Sequence, residues 1–126
     1  MHKSKLAGFI IDCKTDDLKS AATFWSGALG MDTRELPGEE GRKYVKLVDP
    51  EAYLDIEVQQ VGHESRVHLD IETDDVEAEV RRLEKLGARR LEKIHSWWVM
   101  QAPTGQKFCV VRVYDKDFAK RARNWD

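Results

Sequence analysis

Apolar positions along the chain switch between a period of two and a period near 3.6, and the switch happens twice in the same order. "KLAGFIIDC" predicts a strand of about eight residues, with a β-branched pair at Ile10 and Ile11. In "TDDLKSAATFWSGALGM" the residues Leu18, Ala21, Ala22, Trp25 and Leu29 recur at helical spacing. Thr15 or Asp16 stands where a helix is capped, and Gly30 where one ends. "DTRELPGEEG" reads as a short strand and a polar loop. "RKYVKLVD" and "AYLDIEVQQV" then read as two strands divided by "PEA".

After "GHE" the order restarts. "SRVHLDIET" alternates as a half-buried strand, and "DDVEAEVRRLEKLGA" is a helix with an inner stripe of Val76, Val80, Leu83 and Leu86, ended by Gly87. "RRLEKI", "WWVMQA" and "QKFCVVRV" are three further strands, with "PTG" as a turn. Each half is thus strand, helix and about three strands, and both helices end in "LG", 57 residues apart, which marks a duplication of domain-sized modules. The predicted fold is α+β: one domain over residues 1–126, built of two βαβββ modules (about 5–61 and 65–114) and a C-terminal tail. Paired modules would form a cupped, partly open mixed sheet with the helices outside.

Alternation also sorts the faces. In "RVHLDIET", Val67, Leu69, Ile71 and Thr73 are expected to meet the helix, which turns His68, Asp70 and Glu72 to water or a cavity. In "LDIEVQQ", Asp55, Glu57 and Gln59 share the open face. His68 with Glu57 and Asp55 invites a divalent-metal reading, imidazole plus carboxylates being a common donor set. The plainer reading is a wet sheet face with His68 hydrogen-bonded to a neighbouring carboxylate. His2, His63 and His95 lie at the terminus or beside turns, and no "HExxH", phosphate-cradling glycine loop or Ser/His/Asp arrangement occurs.

Composition narrows the partners. With 21 Lys plus Arg against 23 Asp plus Glu, the formal charge of -2 gives no long-range pull toward nucleic acid or anionic membrane, so neither is an expected partner. The single basic cluster, Lys120 to Arg123, reads as a solvated tail or helix end. The apolar run "LAGFII" is too short for a signal segment and ends at Asp12. Cys13 and Cys109 sit in strand-like runs without a C-x-x-C, which fits reduced thiols and a cytoplasmic location.

Aromatics carry a further signal. Trp97 and Trp98 are adjacent, so in a regular strand one joins the helix-side core and the other projects into a cavity or across a subunit boundary. Trp98 is taken as the cavity ring. Trp25 is expected on the helix-side core, and Trp125 either exposed or a docking anchor.

Three stretches together, "DDLKSAATFWSGALG", "SRVHLDIETDDVEAEVRRLEKLGA" and "VMQAPTGQKFCVV", resemble the vicinal oxygen chelate superfamily, in its glyoxalase-like branch. The resemblance implies paired βαβββ modules, often completed as a homodimer. It also implies a metal position in the first and fourth strand of each module, which falls on Ile10, Asp55 or Glu57, His68 and Cys109. Ile10 cannot ligate, and Cys109 stands where the metal enzymes keep a glutamate; an Asp/Glu–His–Cys set remains possible for zinc. Two functions follow. The first is a metal-free binder similar to the bleomycin-resistance members, without cofactor, holding a small organic ligand against His68, Asp70, Glu57, Gln59, Trp97, Trp98 and Cys109. The alternative is a lyase, isomerase or dioxygenase using His68 and Glu57, with a divalent metal or with His68 as base.

Overall fold

The computed structural model describes all 126 residues. They divide into two compact units, one of residues 8–68 and the other of residues 1–7 together with 69–126. Each has one mixed sheet with a helix packed on it.

In the unit of residues 8–68 the elements are β1 (His2–Lys14, from Gly8 onward), α1 (Leu18–Leu29), β2 (Thr33–Glu35), a short α2 (Glu40–Lys43), β3 (Tyr44–Leu47) and β4 (Asp55–Val61). The sheet order is β2-β3-β4-β1, with β1 and β4 parallel and the other pairs antiparallel. The helix cap is Asp17, not Thr15 or Asp16: its carboxylate accepts from the Ser20 N–H at 3.1 Å, while Thr15 accepts from the Asp17 N–H. Gly30 closes the helix at φ +69°, as its place after Leu29 predicts. The apolar stripe of α1 lies over β3 and β4, where Ile11, Leu47, Ile56 and Val58 form a buried core and Leu18, Ala21 and Trp25 pack against it. The strand predicted over "RKYVKLVD" is shorter than its apolar pattern suggests, because α2 takes Arg42 and Lys43.

The second unit repeats the plan. Its elements are β5 (Arg66–Thr73, from Leu69 onward), α3 (Val76–Lys85), β6 (Arg89–Ile94), β7 (Trp97–Gln101), β8 (Lys107–Arg112), α4 (Phe118–Arg121) and β9 (Arg123–Trp125). The sheet order is β5-β8-β7-β6, with β5 and β8 parallel. Asp75 caps α3 by accepting from the Ala78 N–H at 3.0 Å. Val80, Leu83, Met100 and Val110 form the core, joined by Ile71, Val76 and Trp98.

One expectation is corrected along β5. Val67 and Leu69 do not meet a helix: they are 60% and 51% exposed. α3 lies over β8, β6 and β7, so along β5 its cover reaches Ile71 but not the start of the strand. The basic cluster at Lys120 falls at the end of α4, as the helix-end reading expects, and the chain then continues into β9. β9 pairs antiparallel with the start of β1, matching His2 with Trp125. The Trp125 indole N–H donates to Ser4 Oγ at 2.8 Å, and the Arg82 guanidinium lies 3.8 Å from its ring centroid. Trp125 is a docking anchor, and Trp25 a helix-side core ring, as its spacing predicts.

Candidate functional site

The sheet face turned away from α1 carries the polar residues of the first unit. Register on β1, β4 and β3 sets Ile10 beside Glu57 and Lys46, and Asp12 beside Gln59 and Tyr44. Asp55 is ion-paired with Lys46 at 3.2 Å, and Gln59 donates through Nε2 to the Tyr44 hydroxyl at 2.8 Å. Ile10 is buried on this face, so a side chain without any donor fills the place where the resemblance implies a ligand.

Asp12 is the residue that the sequence reading passed over. It interrupts the apolar run "FIIDC", and its side chain is 1% exposed. Oδ2 lies 2.7 Å from His68 Nδ1 and 3.6 Å from Arg66 Nε, while the buried Oδ1 has no hydrogen-bond partner. An ionised carboxylate can only accept, so His68 donates through Nδ1, and in the neutral imidazole Nε2 keeps the lone pair. A buried carboxylate behind a histidine fixes both ring orientation and tautomer, the usual support of a ligating or proton-transferring imidazole. The signal for it was a charged residue between Ile11 and Cys13 in a strand otherwise apolar.

On β5, period-two alternation puts His68, Asp70 and Glu72 on one side. Asp70 stands in parallel register with Cys109 and Glu72 with Val111 on β8; Val99 on β7 pairs in turn with Cys109. The ligand atoms of His68, Asp70 and Cys109 all lie within 4.8 Å of one another. Bond lengths of about 2.0–2.3 Å for Zn–N, Zn–O and Zn–S set donors on one tetrahedral ion roughly 3.5 Å apart, so modest side-chain rotation brings these three onto a shared cation. Nitrogen, carboxylate oxygen and sulfur together suit zinc or a late transition metal better than magnesium or calcium. The cluster around His68 therefore contains Asp70 and Cys109, whereas Glu57, its expected partner, stands beside Ile10 and Lys46.

Glu72 does not face water. It is 1% exposed, 3.9 Å from Lys5 Nζ, and accepts from the Asp115 N–H at 3.2 Å. Burial pushes its carboxyl above the ordinary range, against the pull of Lys5 and the Asp115 N–H.

The tryptophan pair splits to opposite sides of β7, as alternation requires. Trp98 pairs with Val110 and packs on the α3-side core, with the Arg90 guanidinium 5.1 Å from its ring centroid. Plain alternation along β7 puts Trp98 on the same side as the buried Met100. Trp97 takes the opposite side, shared with Val99 and Cys109, and its ring touches His95 at a tilted 5.5 Å.

Comparison with known proteins gives a consistent family. The family model described as a glyoxalase-like domain matches residues 8–111. No curated protein matches the chain by sequence. Among solved structures, a hypothetical protein of Bacillus halodurans is similar at TM-score 0.64 and 12% identity, covering 90% of this chain and 96% of that one. Methylmalonyl-CoA epimerase of Mycobacterium tuberculosis gives 0.62 at 17% identity, covering 90% and 91%. A Mn(II)-bound glyoxalase from Novosphingobium aromaticivorans gives 0.60 at 12% identity, covering 89% of this chain and 40% of that one. At these identities the likeness concerns the fold.

Proposed function

The chain belongs to the glyoxalase-like domain family, within the vicinal oxygen chelate superfamily, and on that premise we propose that it binds a small organic molecule and acts on it with a divalent cation held by His68, Asp70 and Cys109. The observation that carries this reading is the convergence of those three donors, with the buried Asp12 carboxylate behind His68. When bound, the cation supplies Lewis-acid polarisation of a carbonyl-type oxygen. The similar folds include methylmalonyl-CoA epimerases and a metal-bound glyoxalase, so proton movement beside a carbonyl is the reaction class we assign. Asp12 holds the His68 tautomer.

A second reading, metal-free binding, is favoured by Ile10, whose side chain fills a family ligand position with hydrocarbon. Elemental analysis of protein purified without chelator separates the two. The metal reading expects close to one equivalent of zinc, iron, nickel or manganese per chain, lost in His68→Ala. Metal at trace level in both proteins would favour the binding reading.

The exposed apolar pair Val67 and Leu69 supports a homodimer, since isolated strand residues of this size exposed together mark an association surface. Light scattering at micromolar concentration is expected to give twice the 14.6 kDa chain mass, reverting toward one chain in Val67→Lys/Leu69→Lys. A monomer in the unmodified protein would end this proposal. No helix is long and apolar enough to cross a membrane, and both cysteines are free thiols, which supports a reducing, cytoplasmic setting.

A further inference from the structure

Beside the first turn of α3, at the end of its sheet, lies a cavity of about 790 Å³ lined by none of His68, Asp70, Cys109 and Asp12. Sheet register builds it. Lys93 pairs with Trp98, Trp98 with Val110, and Thr73 with Arg112. Directly paired residues share a face, as do residues two apart on one strand, so Lys93, Trp98, Arg112 and Thr73 all present toward α3. The helix covers Val110 and Ile71 and leaves the last row open. The β6–β7 turn forms the rim, and there His95 holds φ +54°, a left-handed backbone that glycine adopts more easily.

The charged groups around the cavity differ in how they are engaged, not in a net excess of cations. Three carboxylates line it, and each is already engaged. Asp74 accepts from the Lys3 N–H at 2.8 Å, Asp75 caps the helix, and Glu77 takes a bidentate pair from Arg90 at 2.6 and 3.0 Å. The Arg90 guanidinium holds the Glu77 carboxyl down to about 2, so this pair stays formed at neutral pH. Lys93 and Arg112 have no ion-pair partner among these groups or elsewhere in the chain. Two uncommitted cations and an imidazole thus surround a pocket with an indole wall.

We propose that this cavity is a binding site for a small organic phosphate, its dianion between Lys93 and Arg112 and its flat body against Trp98. The site is independent of the cation reading above, and the two can fail separately. Two unpaired cations lining one pocket suit a dianion better than a carboxylate, and the aromatic wall favours an unsaturated or ring-bearing body over inorganic phosphate.

The test is an amide and indole NMR titration of the full chain with phenyl phosphate, inorganic phosphate and benzoate. Phenyl phosphate is expected to saturate at millimolar concentration, to move the Trp98 indole N–H with the amides of His95 and Ser96, and to bind about two- to tenfold tighter than inorganic phosphate. Benzoate is expected to bind more weakly. Lys93 and Arg112 are exposed, so Lys93→Ala and Arg112→Ala keep the fold, and each is expected to weaken phenyl phosphate about threefold to fivefold. His68→Ala is expected to leave that affinity unchanged. Absence of saturable binding, equal affinity in the Lys93→Ala/Arg112→Ala double variant, or loss of binding in His68→Ala would each overturn the proposal.

Discussion

Gly8→Ala is expected to destabilise the protein by more than about 4 kcal/mol, the range reached only when a substitution forces the backbone or breaks a buried network. A Cβ at Gly8 would stand 1.9 Å from the Asp55 carbonyl oxygen and 2.6 Å from its carbonyl carbon. Neither is a flexible side-chain end. Gly8 opens the parallel register that sets Phe9 beside Ile56, Ile10 beside Glu57 and Ile11 beside Val58. To admit one methyl group the two strands must part at that end, which loosens the core of Ile11, Ile56 and Val58. Urea unfolding followed by tryptophan fluorescence is the measurement. A loss below about 1 kcal/mol, typical of an exposed strand position, would mean that the close approach of β1 to β4 does not exist.

Glu79→Ala is expected to cost about 3–5 kcal/mol, since it strands buried partners of a fully buried carboxylate. Glu79 has no exposed surface. It accepts from Arg82 twice, at 2.8 and 2.7 Å, and lies 2.7 Å from His2 Nε2. Burial alone would raise its carboxyl; the bonds from Arg82, His2 and Ser4 together outweigh that and leave it below the ordinary 4.5. A carboxyl depressed in the folded state contributes stability in full above its unfolded value, and loses it as pH falls through the folded value. The acid limb of the stability curve, below about pH 4.5, should therefore flatten in Glu79→Ala. Glu72 has the opposite sign. Its folded carboxyl is raised by burial, so ionisation opposes folding at neutral pH, and Glu72→Gln is expected to be neutral or mildly stabilising there. Equal losses in the two variants at pH 7 would contradict this division of the buried acids.

The duplication was legible because both helices carry a clean 3.6-residue stripe and both end at a glycine after leucine. A sharper mark lay in "TDD" before each helix: the caps Asp17 and Asp75 are 58 residues apart in equivalent places. That His68 and Asp70 share one side of a strand was legible from alternation. Their meeting with Cys109 was not, since it depends on the parallel register of β5 with β8, and nothing local in "QKFCVV" encodes that register. Asp12 was visible as a polar residue among apolar ones, but only tertiary pairing with His68 gives it a role. β9 has three residues and no period of its own, so its pairing with β1 left no trace in the sequence.

The account turns on the proposal that His68, Asp70 and Cys109 hold a cation, and titration of chelator-treated protein with Co(II), followed by absorption, reads that cluster directly. The expected result is one equivalent bound, with a thiolate-to-cobalt charge-transfer band in the near ultraviolet and intense visible bands of low-coordinate geometry. The thiolate band should vanish in Cys109→Ser and persist in Cys13→Ser. Affinity should fall about 10–100-fold in Asp12→Asn, where the support behind His68 is weakened. A titration without any thiolate band, or a band that survives Cys109→Ser, would contradict the assignment and leave metal-free binding as the function of this fold.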